Sequence, residues 1–443
     1  MRMELIANIP DPGNRKRIVI IGGGFAGLQT AKKINSKYFQ VVLIDKVNYY
    51  QFQPLLYQVA TAGLEPSSIA YPHRKTFHNR DDFHVRSCLA KRVRPEEKVL
   101  ETSIGIINYD YLVIATGCDT NYFGNNDLKE STYALKSISE ALLARNRILL
   151  SFEKALSVKS EEKLKELLTF VIVGGGATGV ELSGALADMK KTVLPKDYPE
   201  LDFNQMEIHL VDASPRLLFG MSEEASAKAA DTLKKRGVII HQNIPVNNYN
   251  RPFVELANNE KIRSRNVFWV GGVKPNGLIG MSENSYMRGR IIVDEYNAVT
   301  EHDGIYAIGD TCLLTNDERY PKGHPQVAQV ALQMAKNLAK NLNNLAKGNT
   351  TKHKFVYSDR GSLATIGRNA AVADLWKLHF GGTIAWWLWL WVHILSIIGM
   401  KNKISVFIDW VWGYITYDVS LRLFIKPKMN RMYDDIDRRE REY

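Results

Sequence analysis

Two short runs of glycine carry the first chemistry in this chain. In RIVIIGGGFAGL, Gly22-x-Gly24-x-x-Gly27 follows an apolar run and opens a helical pattern. One glycine of such a turn makes the bend, one lets a pyrophosphate approach the backbone, and one lets helix and strand pack closely. The phosphates then sit at the positive end of a helix. FQVVLIDK follows as a second strand, and its Asp45 can accept hydrogen bonds from a ribose diol. The pattern recurs: FVIVGGGATGVEL holds Gly174-x-Gly176-x-x-Gly179, and EIHLVDAS brings Asp212 to a strand end. MKKTVLPKDYPELDFNQM reads as an insertion that lengthens the second copy. Asp212 has no Arg directly behind it, although Arg216 lies close by, and so points to an unphosphorylated 2′-hydroxyl, NADH over NADPH.

Strand, turn, helix, strand and acid arrive in order in both copies. Each is therefore expected to be a parallel sheet covered by helices, an α/β fold with two dinucleotide-binding domains. A third element, GIYAIGDTC, is a short apolar strand ending in Gly309-Asp310, outside both units. YDYLVIATGC holds Ala115-Thr116-Gly117. These two segments resemble the second flavin signature and the A-T-G crossing of two-dinucleotide-domain flavoproteins. The resemblance implies FAD on the first fold, with Asp310 on its ribityl chain, and NADH on the second.

The expected order along the chain is a lead-in over 1–15, then an FAD-binding domain over 16–135 and 290–375. An NADH-binding domain lies inserted at 136–289, followed by a membrane-associated region over 376–430 and a charged tail over 431–443. Residues 137–156 read as an amphipathic helix, with 160–167 as its exposed continuation.

With 443 residues the chain can build two or three domains. The formal net charge of +11 favours phosphate-bearing cofactors or an anionic membrane surface. No readout motif supports nucleic-acid binding. Cys88, Cys118 and Cys312 are scattered, odd in number and form no C-x-x-C. That argues against a disulfide framework or a zinc site, so no metal is expected and a reducing cytosol is the natural setting. The polar opening MRMELIANIPDPGNRKR gives no export signal. NYYQFQPLLYQVATAGLEP has no cysteine where disulfide reductases carry their redox pair. The three thiols read as inert, and reduced flavin must pass its electrons to a diffusible acceptor.

Seven of the eight tryptophans crowd the C-terminal part, at Trp376, Trp386, Trp387, Trp389, Trp391, Trp410 and Trp412; only Trp269 lies elsewhere. Residues 384–398 are apolar apart from His393 and Ser396. As a helix they rise roughly 22 Å, short of the ~30 Å hydrocarbon core, so a helix lying in the interface is expected rather than a spanning one. In NKISVFIDWVWGYITYDVSLRLFIKPK, the residues Phe407, Trp410, Val411, Tyr414 and Tyr417 recur at helical steps. Lys401, Lys403, Arg422, Lys426 and Lys428 flank them, the pattern of an interfacial helix. Packing on the core or a dimer contact are the other uses of such a face. His379 and His393 read as satisfied core residues.

Taken together, VIIGGGFAGL, FQPLLYQVATAGL, VIVGGGATGVEL, WVGGVKPN, YAIGD, PQVAQVALQMAKNLAKN and AWWLWLWVHI closely resemble type II NADH dehydrogenase. That family comprises single-subunit, non-pumping NADH:quinone oxidoreductases of the respiratory chain. The resemblance implies oxidation of NADH and reduction of a membrane quinone through one non-covalent FAD. Its flavin contacts would come from Gly22, Gly24, Phe25, Ala26 and Gly27, from Asp45, Lys46 and Gln53, from Ala115, Thr116 and Gly117, and from Asp310, Ala328 and Gln329. Its NADH contacts would come from Gly174, Gly176, Ala177, Thr178 and Gly179, then Glu181, Asp212 and Gly272. Glu181 would face the nicotinamide. Gln329 and Lys377, with Gln326 as a lesser candidate, would serve the quinone. The order WKLHFGG around Lys377 departs slightly from the commoner family wording. The implied setting is monotopic attachment to the lipid surface at the cytoplasmic face of the cell inner membrane, with a homodimer possible. Two other readings stay open: a soluble NADH:acceptor reductase that docks a protein through its aromatic corner, and an NADH-sensing flavoprotein with little turnover.

Overall fold

The computed structural model describes residues 6–376, 378–417 and 421–424. Lys377, Lys426, Lys428 and the tail 431–443 lie outside the described residues. The chain packs into two compact units. The first is Met1–Gln51, Ala70–Asp119 and Val273–Arg360; the second is Phe52–Ile69, Thr120–Gly272 and Gly361–Tyr443. The seams therefore fall at 119/120 and 272/273, where the order of motifs suggests 135/136 and 289/290. Residues 52–69 and 361–375 pack with the second unit.

The first unit is built on a five-stranded parallel sheet in the order Ile305–Ala307, Tyr111–Ile114, Lys16–Ile21, Phe39–Asp45, Phe83–Ser87. The run from Phe39 to Ile44 is wholly buried, as a strand covered on both faces must be. Helix Phe25–Lys33 follows the first strand. Helix Ala328–Ala346 buries Val330, Ala331, Met334, Ala335, Leu338, Ala339 and Leu342, the three- and four-residue spacing of one apolar face, and packs against helix Phe25–Lys33.

The second unit holds a four-stranded parallel sheet in the order Val238–His241, Glu207–Val211, Thr169–Val173, Asn266–Trp269. Helix Ala177–Thr192 lies directly on strand Ser362–Gly367: a Cβ at Gly184 would come 2.3 Å from Ile366 O. The expected helix over 137–156 forms as Ile138–Ala155, capped by the Ser137 hydroxyl. The stretch 160–167 is exposed over most of its length, as expected, but does not continue that helix. Glu161–Leu168 is a separate helix with its own cap at Ser160, and its last turn buries Glu166, Leu167 and Leu168. Glu166 is drawn in because Arg265 at 2.8 Å and Arg263 at 3.3 Å neutralise it.

A three-stranded antiparallel sheet, Ser362–Gly367, Ala370–Leu375 and Leu378–Gly382, leads into helices Thr383–Ser396 and Met400–Thr416. Among the described residues no helix is long and apolar enough to cross a membrane. In the first of these helices Trp389 is buried, while Trp387, Trp391 and Leu395 are exposed. In the second only Val406 is buried, and Ile404, Phe407, Ile408, Val411, Trp412 and Ile415 are exposed.

The expected stripe therefore splits. Phe407 and Val411 face outward, whereas Trp410 turns inward to hydrogen-bond Gln58. Tyr414 and Tyr417 lie against the Arg368 guanidinium, at 4.3 and 3.7 Å from their ring centroids. Of the basic flank, Lys403 donates to Leu395 O at 2.7 Å and Arg422 pairs with Asp197, so both are used within the protein. Lys401 is exposed. His379 is no core residue: its side chain is 39 % exposed and meets Asp374 Oδ1 at 2.8 Å.

Candidate dinucleotide and electron-transfer site

In the first unit the strand Lys16–Ile21 ends in Gly22, whose φ of +99° suits glycine. A Cβ there would lie 2.3 Å from Ala115 O, so the turn presses on the A-T-G segment. A Cβ at Gly27 would come 1.8 Å from Gly22 O, which is why helix and strand can meet. At Gly24 a Cβ would meet nothing within 4 Å, and no side chain caps the helix that starts there. The positive helix end thus opens onto free space, the place where a phosphate group is favoured. Asp45 closes the cradle, accepting hydrogen bonds from Gly23 N–H at 2.6 Å and Val47 N–H at 2.9 Å. Lys46 beside it is exposed.

The rest of the first site is held from behind. Asn276 clamps the A-T-G segment: its carbonyl accepts from Thr116 Oγ1 at 2.7 Å, its amide donates to Thr116 O at 3.1 Å, and its backbone N–H donates to Gly117 O at 3.0 Å. Gly309 packs on Ala26, since a Cβ there would lie 3.3 Å from Ala26 Cβ, and this brings Asp310 to the glycine helix. Asp310 Oδ2 accepts from the Cys118 thiol at 3.0 Å, and its backbone carbonyl accepts from Gln326 at 2.9 Å. Gln326 is thereby a prop for Asp310. Arg290, half-buried, donates to Cys312 O at 2.7 Å, and burial lowers its basicity although Cys312, Asp310 and Cys118 oppose the shift. Burial pushes the Cys312 thiol up to about 12, so it stays protonated. Ala328 and Gln329 start a helix whose first turn no side chain caps. Gln329 Oε1 accepts from Arg360 N–H at 3.2 Å.

The second unit repeats this construction. Gly174 has φ +118°, and a Cβ on it would strike Gly271 at 2.6 Å. A Cβ at Gly179 would come 1.8 Å from Gly174 O, and one at Gly176 would again meet nothing within 4 Å. Ala177, Thr178 and Gly179 form the uncapped first turn of the helix. Asp212 accepts from Gly175 N–H and, at 2.5 Å, from Ser214 N–H. Arg216 is turned away to the carbonyls of Met221 and Ser222, at 2.8 and 3.3 Å. Gly272 lies under Phe123, an exposed aromatic held at a φ of +52°. Both cradles fit a diphosphate ligand with a ribose diol.

Glu181 sits farther along this helix and is buried. Burial holds its carboxyl well above the ordinary range, with the Thr365 backbone and the Trp389 indole only partly opposing. The second unit holds further residues, and to Tyr57 and Gln58 among them the motifs assign no role. Tyr57 is fully buried, its phenol raised by burial and by Glu181. Gln58 donates to the Tyr57 hydroxyl at 2.8 Å, and Trp410 donates to Gln58 at 2.7 Å. Trp389 stacks on His393 with centroids 3.9 Å apart, and burial pushes that imidazole down to about 4. Gln53 is exposed, belongs to this unit, and donates to Lys136 O at 3.3 Å. The sequence signals for Tyr57, Gln58 and Trp410 are the run FQPLLYQVA and the crowding of tryptophans.

Comparison with known proteins agrees with this geometry. The pyridine nucleotide-disulphide oxidoreductase family model matches residues 16–335, and the NDH2 C-terminal domain model matches residues 360–416. The type II NADH:quinone oxidoreductase Ndh of Mycobacterium tuberculosis is 33% identical over 420 residues, covering 91% of this chain and 89% of that protein. The type II NADH:quinone oxidoreductase of Staphylococcus aureus is 29% identical over 380 residues, covering 84% of this chain and 92% of that one. NDH2 from Plasmodium falciparum, solved in complex with NADH, has the same fold. Its TM-score is 0.85 at 23% identity, covering 93% of this chain and all 100% of that one. The chain belongs to the pyridine nucleotide-disulphide oxidoreductases and, among them, to the type II NADH:quinone oxidoreductases.

Proposed function

We propose that this protein oxidises NADH and reduces a membrane quinone through one non-covalent FAD, without proton pumping. The observation that carries the reading is the pair of dinucleotide cradles built alike in one chain, the second with Asp212 forward and Arg216 turned aside. FAD takes the first cradle, on Gly22, Gly24, Gly27 and Asp45, with Ala115, Thr116, Gly117 and Asp310 along its length. NADH takes the second, on Gly174, Gly176, Gly179, Asp212 and Gly272. Bound FAD supplies the two-electron relay between nicotinamide and quinone. The protein supplies position and a dry surrounding.

Several residues then act on their own account. Glu181 keeps its proton at a pH where an ordinary carboxyl has lost it. Gln326 fixes the backbone of Asp310. Gln329 starts the helix nearest the Asp310 segment in unit one and holds residue 360 through its carbonyl. Its amide and Lys377 are assigned to the quinone side on the family resemblance.

Attachment to a lipid surface belongs to the same reading. Trp387, Trp391, Leu395, Ile404, Phe407, Ile408, Trp412 and Ile415 are all exposed on the two C-terminal helices. A tryptophan moved fully out of water contributes about 4–6 kcal/mol at most, so a few suffice even after heavy discount. The cytoplasmic face of the inner membrane is the side where NADH is met. A homodimer through this face is the competing use. Two measurements test the account. Protein from membranes should oxidise NADH with a water-soluble quinone analogue, and Trp387→Ser/Trp391→Ser/Phe407→Ser should move that activity from the vesicle pellet to the supernatant. Full activity in the supernatant for the unaltered chain would contradict attachment.

A further inference from the structure

The two glycine turns match down to the hydrogen bond from the second glycine to the strand-end carboxylate, yet they differ in what lies against that glycine. In the second turn it is an alkyl chain: a Cβ at Gly175 would lie 2.7 Å from Leu217 Cδ2. In the first it is the imidazole of His73, with Cε1 and Nε2 at 2.4 and 2.5 Å from a Cβ at Gly23. His73 is 0 % exposed, and among the described residues neither of its ring nitrogens has a hydrogen-bond partner. Its Nε2 stands 3.7 Å from Asp45 Oδ2, just beyond a hydrogen bond. Its backbone N–H, bonded to Asn48 O at 3.0 Å, fixes where the ring enters.

Leucine fills this place in the second turn with no polar cost. A buried imidazole without a partner is unfavourable and calls for an explanation. Asp45 Oδ2 already accepts from Gly23 N–H, and an oxygen with a second lone pair has room for one more donor. We propose that His73 is a positioning residue for the flavin cofactor: when the adenosine ribose of FAD settles on Asp45, His73 Nε2–H closes onto the carboxylate and locks it towards the diol. The inference rests on the assignment of FAD to the first turn. It also accounts for the asymmetry. A prosthetic group must be retained through every turnover, whereas NADH must leave, and the turn that exchanges its ligand has leucine where the retaining turn has histidine.

The test uses the flavin-loaded protein. His73→Leu copies the packing of Leu217, so the fold should survive, with the melting temperature of the flavin-free form unchanged. FAD release, followed by the rise in flavin fluorescence, should be about 10- to 100-fold faster, the loss of one hydrogen bond to a charged group. The affinity of the flavin-free form for ADP, which carries the same ribose, should weaken by a similar factor. His73→Gln, which restores a donor, should recover part of the loss, and the KM for NADH should not move. Unchanged FAD release in His73→Leu would overturn the proposal. So would a loss that His73→Gln fails to rescue and that lowers the melting temperature of the flavin-free form, because that is a packing role. A wild-type protein that binds no FAD would overturn the underlying assignment, and this proposal with it.

Discussion

The indole N–H of Trp410 donates to the side-chain carbonyl of Gln58 at 2.7 Å, and Gln58 in turn donates to the Tyr57 hydroxyl. A tryptophan on a largely outward-facing helix is thus the anchor of a part-buried hydrogen-bond chain that ends on the Tyr57 hydroxyl. Trp410→Phe keeps the ring and removes the donor. It should cost about 1 kcal/mol of stability, read as a lower denaturation midpoint at unchanged slope. An unshifted midpoint would mean the bond contributes nothing.

The glycines of the first turn should separate fold from binding. At Gly27 a Cβ would strike Gly22 O at 1.8 Å, so Gly27→Ala should fail to fold or lose several kcal/mol. At Gly24 the protein leaves the space empty. Gly24→Ala should therefore keep the fold and a normal circular-dichroism melt while losing FAD, since the new methyl occupies the phosphate's place. Equal melting losses in both variants would contradict this division.

The pH dependence of stability should carry the mark of Glu181. Its carboxyl is raised from an ordinary value of 4.5 by burial. The folded protein therefore binds a proton that the unfolded chain has lost, and stability falls as pH rises from that value towards the folded one. Glu181→Gln, neutral at every pH, should flatten this slope and be the more stable form at neutral pH. Urea midpoints measured from pH 4 to pH 8 read the difference; parallel slopes for the two proteins would remove the buried-proton account.

Much of this was legible in the sequence, for a physical reason. The turn at Gly22, Gly24 and Gly27 asks three separate things of the backbone that only glycine meets, so the motif announces itself, and so does its repeat. Helical period likewise announces the two C-terminal helices. It does not say which way Trp410 or Trp389 points, because an aromatic stripe serves a membrane, a partner or a core equally well. Asn276 and Gln58 lie inside WVGGVKPN and FQPLLYQVATAGL, yet the motifs do not say what they hold, and His73 lies in none; the partners Thr116, Trp410 and Asp45 are brought to them by folding, which no local pattern records. Within the stretch 160–167, expected to be exposed, Glu166 is buried, because its compensating arginines, Arg263 and Arg265, lie about a hundred residues downstream.

We propose that the choice of NADH over NADPH rests on Asp212, which accepts from Gly175 and Ser214, with Arg216 held by the Met221 and Ser222 carbonyls. Asp212→Ser should raise the KM for NADH about tenfold and cut the preference over NADPH by a similar factor, at little change in kcat. A preference that survives the substitution intact would move the discrimination to other residues.

The central claim is that one flavin in the first cradle passes electrons from NADH to a quinone. Anaerobic stopped-flow on the flavin-loaded protein tests it most directly. NADH should bleach the flavin absorbance rapidly, NADPH should do so far more slowly, and a short-chain quinone added next should restore the colour with one NADH consumed per quinone. A flavin that NADH bleaches but quinone leaves colourless, or a protein that carries no flavin at all, would contradict the account.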